Sequence, residues 1–303
     1  MDIATILTCF NRKEKTTHCL SNLFAAEEYY NSRCVETDKI NIVVFLTNDG
    51  CTDGTPEAVQ DVCVGHELHI INGDGNCYWA GGMRMAWNKA LKHKNDWDFY
   101  LLLNDDTFME NDCFISLLKT HKYSINTYGK PGIYSGITCN THAKDKITYG
   151  GYVWTNYFLG RDSILLPTGM PQKCDMANSN IMLVSRPVVE AIGIFHDGFI
   201  HGYADFDYSM QAIKKSFPVL VTEKICGSCD YDHDSEKQIK EKISGMNLKQ
   251  RKEYFKNPLH SNYDVMLYNR RNILQRYILS YIGRIMNLYV PRLYYFASDI
   301  RNK

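Results

Sequence analysis

Short apolar runs alternate with segments of helical spacing through the first third of the chain. Residues 3–8 form a strand-like run that ends at Cys9-Phe10-Asn11-Arg12, and residues 15–26 carry apolar positions at helical intervals. Residues 41–47 (NIVVFLT) are apolar at successive positions, as a strand covered on both faces requires, and end in Asn48-Asp49-Gly50. Residues 56–63 read as a short helix, 68–71 as a third strand, 81–93 as a helix and 98–103 as a fourth strand. This order implies an α/β fold with a mostly parallel central sheet flanked by helices. Ligands of such sheets bind at the carboxyl ends of the strands, where the polar and glycine-rich clusters fall.

From about 130 to 200 the chain is richer in Gly, Tyr and Thr. Residues 181–185 read as a strand, 187–192 as the start of a helix and 205–215 as an amphipathic helix. Beyond Gly227 the pattern becomes long and helical, with apolar pairs at Ile273/Leu274, Tyr277/Ile278, Tyr281/Ile282 and Ile285/Met286. The expected organisation is a catalytic domain over 1–235, with a nucleotide-binding half (1–110) and an acceptor half (111–235). A C-terminal helical tail over 236–303 follows.

Composition narrows the class. Of 303 residues, 45% are hydrophobic and only 8 are Pro, which excludes wholesale disorder. The 34 Lys/Arg balance 34 Asp/Glu, so no global field announces nucleic acid. The distribution is uneven: residues 237–303 hold 14 Lys/Arg against four acids, leaving an acidic body with a basic tail. A tail of this kind suits an anionic surface, although a solvated helical face has the same composition. The 11 Cys are odd in number and follow no framework spacing. Met1-Asp2-Ile3 runs directly into a strand, and no stretch of 18 apolar residues occurs. A cytoplasmic location without a membrane span is the expectation.

Four clusters carry candidate chemistry. In Asn48-Asp49-Gly50-Cys51-Thr52-Asp53-Gly54-Thr55, Asp53 or Thr55 can cap the next helix, and Asp49 can accept hydrogen bonds from a base or ribose. Asn72-Gly73-Asp74-Gly75-Asn76-Cys77-Tyr78-Trp79-Ala80-Gly81-Gly82-Met83-Arg84 matches neither dinucleotide nor Walker fingerprints. Gly81 and Gly82 would open a helix toward a phosphate, with Arg84 adding charge. In Asn104-Asp105-Asp106 adjacent carboxylates end a buried strand, a costly arrangement that a hard divalent ion relieves. Asp205, in Gly202-Tyr203-Ala204-Asp205-Phe206-Asp207, would sit at a helix N-terminus and suits a general base. Each cluster also has a reading without a ligand: a capped turn for the first and third, a Gly-rich loop for the second, and an N-cap with a first-turn acid for the fourth. Cys226-Gly227-Ser228-Cys229 with His233 lacks the second pair that a zinc site needs.

In this order the clusters resemble the family 2 glycosyltransferases, whose nucleotide-sugar-binding α/β fold is called GT-A. The resemblance runs over about residues 1–275. It rests on Thr8-Cys9-Phe10-Asn11-Arg12, NDGCTDGT, NGDGNCYWAGGMR, LLLNDD, the run from Asn178 to Ala212, and Tyr268-Asn269-Arg270-Arg271-Asn272. It is nearest to a bacterial, rhamnosyltransferase-like branch that builds surface polysaccharides.

The resemblance implies an inverting, metal-dependent hexosyltransferase. Its donor would be a UDP-, dTDP- or GDP-linked sugar, and its acceptor a glycan or lipid-linked hydroxyl in capsule or O-antigen synthesis. Thr8, Asn11, Arg12, Asp49, Asn76, Trp79, Gly81, Gly82, Arg84, Asn104 and Asp105 would contact the donor. Asp106, the last acid of a D-x-D motif, would hold Mg or Mn, with His233 as a further ligand. Asp205 would be the base, with Asp207 and Tyr203 toward the acceptor. Asn104 replaces the first acid of the metal motif, and Ala204 the first of the usual acidic pair. Residues 237–303 would touch the inner leaflet or a second copy in a homodimer. A non-catalytic nucleotide-sugar binder and a sugar nucleotidyltransferase are the alternatives. The first strand's TCFNR ending speaks against the latter.

Overall fold

The computed structural model describes residues 1–231 and 236–301. Its elements run β1 (Asp2–Cys9), α1 (Lys13–Asn31), β2 (Asn41–Asn48), α2 (Thr55–Val62), β3 (Glu67–Asn72), α3 (Tyr78–His93), β4 (Phe99–Leu103), β5 (Phe108–Met109) and α4 (Cys113–Tyr128). Then come β6 (Ile133–Cys139), β7 (Ile147–Tyr149), β8 (Gly151–Asn156), β9 (Arg161–Ile164), β10 (Gln172–Lys173), β11 (Met176–Ala177), β12 (Ile181–Ser185), α5 (Arg186–Ile192), α6 (Ala204–Lys214) and β13 (Val219–Ser228). Five helices close the chain: α7 (Glu236–Gly245), α8 (Leu248–Tyr254), α9 (Tyr263–Asn272), α10 (Leu274–Tyr289) and α11 (Pro291–Arg301).

The main sheet has the order β10-β13-β6-β12-β4-β1-β2-β3. Strands β4, β1, β2 and β3 are parallel, as the N-terminal pattern implies. The sheet as a whole is mixed, which corrects the mostly parallel expectation. Strand β12 runs antiparallel to both β4 and β6, β13 runs parallel to β6, and β5, β7 and β10 add antiparallel edges. Residues 181–185 were legible as a strand, but an apolar run has no direction. The excursion from residue 104 to 180 brings β12 back reversed. A small second sheet, β11-β8-β9, is antiparallel.

Because alternate side chains leave a strand on opposite faces, the apolar runs feed two cores. Ala4, Ile6, Val43, Phe45, Tyr100 and Leu102 pack with Met83 and Trp87 of α3 and with Tyr208 of α6. Ile3, Leu7, Val44, Leu46, Leu101 and Leu103 pack on the other face, with Leu20 and Leu23 of α1 and Phe114 of α4. Helix α3 starts at Tyr78, three residues before Gly81, so Gly81 and Gly82 lie in its second turn rather than opening it. Gly82 lets α3 lie close on β1: a Cβ there would stand 2.1 Å from Thr8 Oγ1.

At the C-terminal end, α9 packs against α6 and α10. The outward stripe of α10 and α11 stays exposed, including Leu274, Ile278, Ile282, Ile285, Leu293 and Phe296. Among the described residues no helix is long and apolar enough to cross a membrane.

Candidate active site

The loops after β1, β2, β3 and β4 gather at one edge of the sheet. Asn11 adopts a left-handed backbone (φ 50°), which Asn tolerates, and its Oδ1 accepts from Thr52 N–H at 2.7 Å. Asp53 Oδ2 accepts from Lys13 N–H at 3.0 Å and its Oδ1 from Thr55 N–H at 3.1 Å, so it serves the first turns of both α1 and α2. The turns that follow β1 and β2 are thereby tied together.

Asp49 is buried and turned inward. Its Oδ1 accepts from Gly75 N–H at 2.9 Å and Cys77 N–H at 3.2 Å, and its Oδ2 from Tyr78 N–H at 3.2 Å. Ala80 N–H donates to Ile200 O at 3.2 Å. The protein itself thus takes up several amides at the start of α3. Asp49 shapes the Asn76-bearing loop, where Asn76 N–H bonds Asp74 Oδ1 at 2.9 Å. Arg84 donates to the carbonyls of His196 (3.2 Å) and Phe199 (2.7 Å), which fastens α3 to the segment before α6. A cleft of about 540 Å³ runs beside Asn76, Tyr78, Gly81, Arg84 and Ile200.

The carboxylate pair after β4 already faces a cation. Arg12 Nη1 lies 2.7 Å from Asp106 Oδ2 and 3.2 Å from Asp105 Oδ1. Thr16 Oγ1 donates to the other oxygen of Asp105 at 3.2 Å. Asp105 is buried, and burial pushes its pKa up to about 6 against the pull of Arg12. Asp106 is more open. Among the described residues its Oδ1 receives only the Cys229 thiol, at 3.6 Å, a weak partner for a hard oxygen. Asn104 Oδ1 accepts from Trp79 Nε1 at 2.9 Å, which brings the indole to the same edge.

Asp205 occupies the first turn of α6. Its Oδ1 accepts from Phe206 N–H at 2.9 Å and its Oδ2 from Ser179 N–H at 3.1 Å. Burial raises its pKa to about 6, opposed by these amides. Ser179 adjoins Asn180, whose carbonyl accepts from Asn104 N–H at 3.2 Å. Two hydrogen bonds and one dipeptide therefore join Asp205 to the strand end that bears Asp105 and Asp106.

The acceptor-side candidates have protein partners of their own. Asp207 is buried against α9, where Arg271 Nε (2.9 Å) and Asn272 Nδ2 (2.7 Å) donate to it. Tyr203, left-handed at φ 63°, precedes α6 and meets the rings of Phe206 and Tyr268. His233 lies outside the described residues. The Cys226 thiol bonds Thr222 Oγ1, while that of Cys229 reaches Asp106, so the two point to different places.

Sequence reading missed Asp264, at the start of α9. Its Oδ1 accepts from Ile200 N–H at 3.0 Å, and its Oδ2 from His201 (2.8 Å) and Gly202 (2.9 Å). It thereby fixes the turn that launches α6. Its one signal in the sequence is an acid in a first helical turn, a commonplace. Thr16 carries no signal of its own, and Ser179 none beyond its place in the run from Asn178 to Ala212.

No protein-family model matches the chain, and no curated protein matches it. Among solved structures it is similar to the mannosyltransferase PcManGT from Pyrobaculum calidifontis, solved with GDP-Man and Mn2+. That likeness has 13% identity and a TM-score of 0.51, over 99% of this chain and 84% of that one. S. aureus TarS matches with a TM-score of 0.46 and 15% identity over 89% of this chain and 43% of that one. TarS 1-349 with UDP matches at 0.47 and 16%, over 89% and 70%. The fold is that of the mannosyltransferase.

Proposed function

We propose that the chain is an inverting glycosyltransferase. It would move a sugar from a UDP-, dTDP- or GDP-linked donor to a hydroxyl of a glycan or lipid-linked acceptor in bacterial surface polysaccharide synthesis. The observation that carries the reading is the link from Asp205 through Ser179 and Asn180 to Asn104, which ties a carboxylate of raised pKa to the strand end that bears Asp105 and Asp106. The fold shared with an enzyme solved with GDP-Man and Mn2+ supports a nucleotide-sugar donor.

The donor set suits a hard ion, since carboxylate oxygens are the preferred ligands of Mg and Mn and Asp106 Oδ1 is weakly engaged. Asp106 would hold it, and its chemistry there would be charge neutralisation of the leaving diphosphate. Arg12, already on Asp106, supplies positive charge from the protein side. Asp205 accepts the proton of the acceptor hydroxyl. The freed oxygen forms a bond to the anomeric carbon, and the carbon–oxygen bond to the diphosphate breaks with its electron pair on the diphosphate. One displacement inverts the anomeric configuration. A group of pKa about 6 is mostly ionised at pH 7 yet still basic enough to take a proton.

The test is a thermal-shift panel of nucleoside diphosphates and their sugars with and without Mn. Ligand at 100 times its dissociation constant stabilises by about 2.7 kcal/mol. A metal-dependent rise with one base supports the reading. A flat panel from folded protein counts against it.

The exposed apolar stripe of α10 and α11 in a region of 14 Lys/Arg suits an anionic membrane at the cytoplasmic face. Each cation near such a surface contributes about 1 kcal/mol. Intact protein should pellet with phosphatidylglycerol vesicles at low salt, and Ile278→Glu/Ile285→Glu should stay in solution. A concentration-dependent dimer abolished by the same pair, with no pelleting, would assign the face to a homodimer.

A further inference from the structure

We infer that Glu67, His69 and His93 form a binding site for one divalent metal of the zinc type, at the end of β3 away from the donor cluster. Glu67 and His69 are two residues apart on the edge strand, hence on one face. His93 comes from the last turn of α3. A single oxygen, Glu67 Oε1, stands 2.8 Å from His69 Nε2 and 3.2 Å from His93 Nε2, and the three donor atoms lie within 4.8 Å of one another. A tetrahedral ion with bonds near 2.0–2.1 Å sets its donor atoms about 3.3 Å apart. Only small side-chain adjustments separate the observed cluster from that spacing.

The rings are held before any ion arrives. His69 lies flat on Phe45, with centroids 4.8 Å apart and an interplanar angle of 10°. His93 meets Phe45 edge-on at 5.7 Å and stacks with Trp97 at 6.1 Å. Glu67 and His93 remain open enough for water to complete the coordination. Two imidazoles and a carboxylate favour Zn, Ni or Cu over Mg or Mn, so the site differs in preference from the carboxylate position at Asp106. It differs in place as well. At about 3.3 Å per residue, Glu67 lies about 16 Å along β3 from Asn72, where the donor loop begins. A bound ion would clamp the edge strand to the C-terminal turn of α3, the helix whose other end forms the donor loop.

Cobalt(II) titration under reducing conditions tests this, because cobalt replaces zinc and reports its ligands. The expected result is one equivalent bound with visible d–d bands and no thiolate charge-transfer band, displaced by zinc, with a zinc-dependent rise in melting temperature. His69→Ala/His93→Ala should lose both the bands and the rise. Glu67→Gln, which removes the ligand's charge but keeps its shape, should weaken cobalt binding while leaving the circular dichroism spectrum unchanged. Absence of d–d bands in the native protein, bands that persist in the double variant, or thiolate bands alone would overturn the assignment.

Discussion

Asp264→Asn would isolate what the C-terminal segment contributes to the site. The Asp264 carboxylate is buried and takes three backbone N–H donors from residues 200–202. The amide keeps one oxygen, enough for Ile200, but turns an NH2 toward His201 and Gly202. Two charge-assisted hydrogen bonds are lost at about 1.5–3 kcal/mol each, and two donors face another donor. Water reaching the turn recovers part of this, so the expected destabilisation is about 3 kcal/mol by urea unfolding. Hydrogen exchange locates the effect: the amides of Ile200, His201 and Gly202 should lose protection. A loss below about 0.5 kcal/mol, the scale of an ordinary surface change, would refute the reasoning. So would exchange that is unaltered at residues 200–202.

Gly82→Ala should destabilise by about 1–3 kcal/mol, because its Cβ meets Thr8 Oγ1 at 2.1 Å and α3 must move off β1. Differential scanning calorimetry checks it, and a variant as stable as the native chain would contradict the close approach. Asp105→Asn tests the buried carboxylate through pH. With a folded pKa near 6 and an unfolded value near 3.8, the native state holds the proton more tightly, so this group's contribution falls as pH rises from about 4 to 6. The variant should therefore gain on the native protein across that window and hold the advantage above it. A pH-independent difference would show that the group is not perturbed.

What could be read from the chain was local. The runs in β1, β2 and β4 are apolar on both faces because helices cover both, and that pattern survives without tertiary knowledge. The strand ends announced the loops that meet at the site. The small sheet of β8, β9 and β11 was not legible, since its strands are short and its burial alternates poorly. Nor were the partners of the site. Arg12 reaches Asp105 across 93 positions of sequence, and Asp264 reaches residues 200–202 across more than 60. Nor do residue types alone show that Gly82 packs on Thr8 and that Arg84 fastens α3 to the segment before α6.

The most direct test of the central claim is release of nucleoside diphosphate from the donor sugar identified by thermal shift, measured across pH for the native chain and for Asp205→Asn. Release reports transfer to an acceptor and to water alike. The native rate should rise with pH through about 6, and Asp205→Asn should keep the donor-induced shift while losing about 10²–10⁴ in rate together with that limb. A variant that releases nucleoside diphosphate at the native rate, with the same pH profile, would contradict the assignment of Asp205 as base.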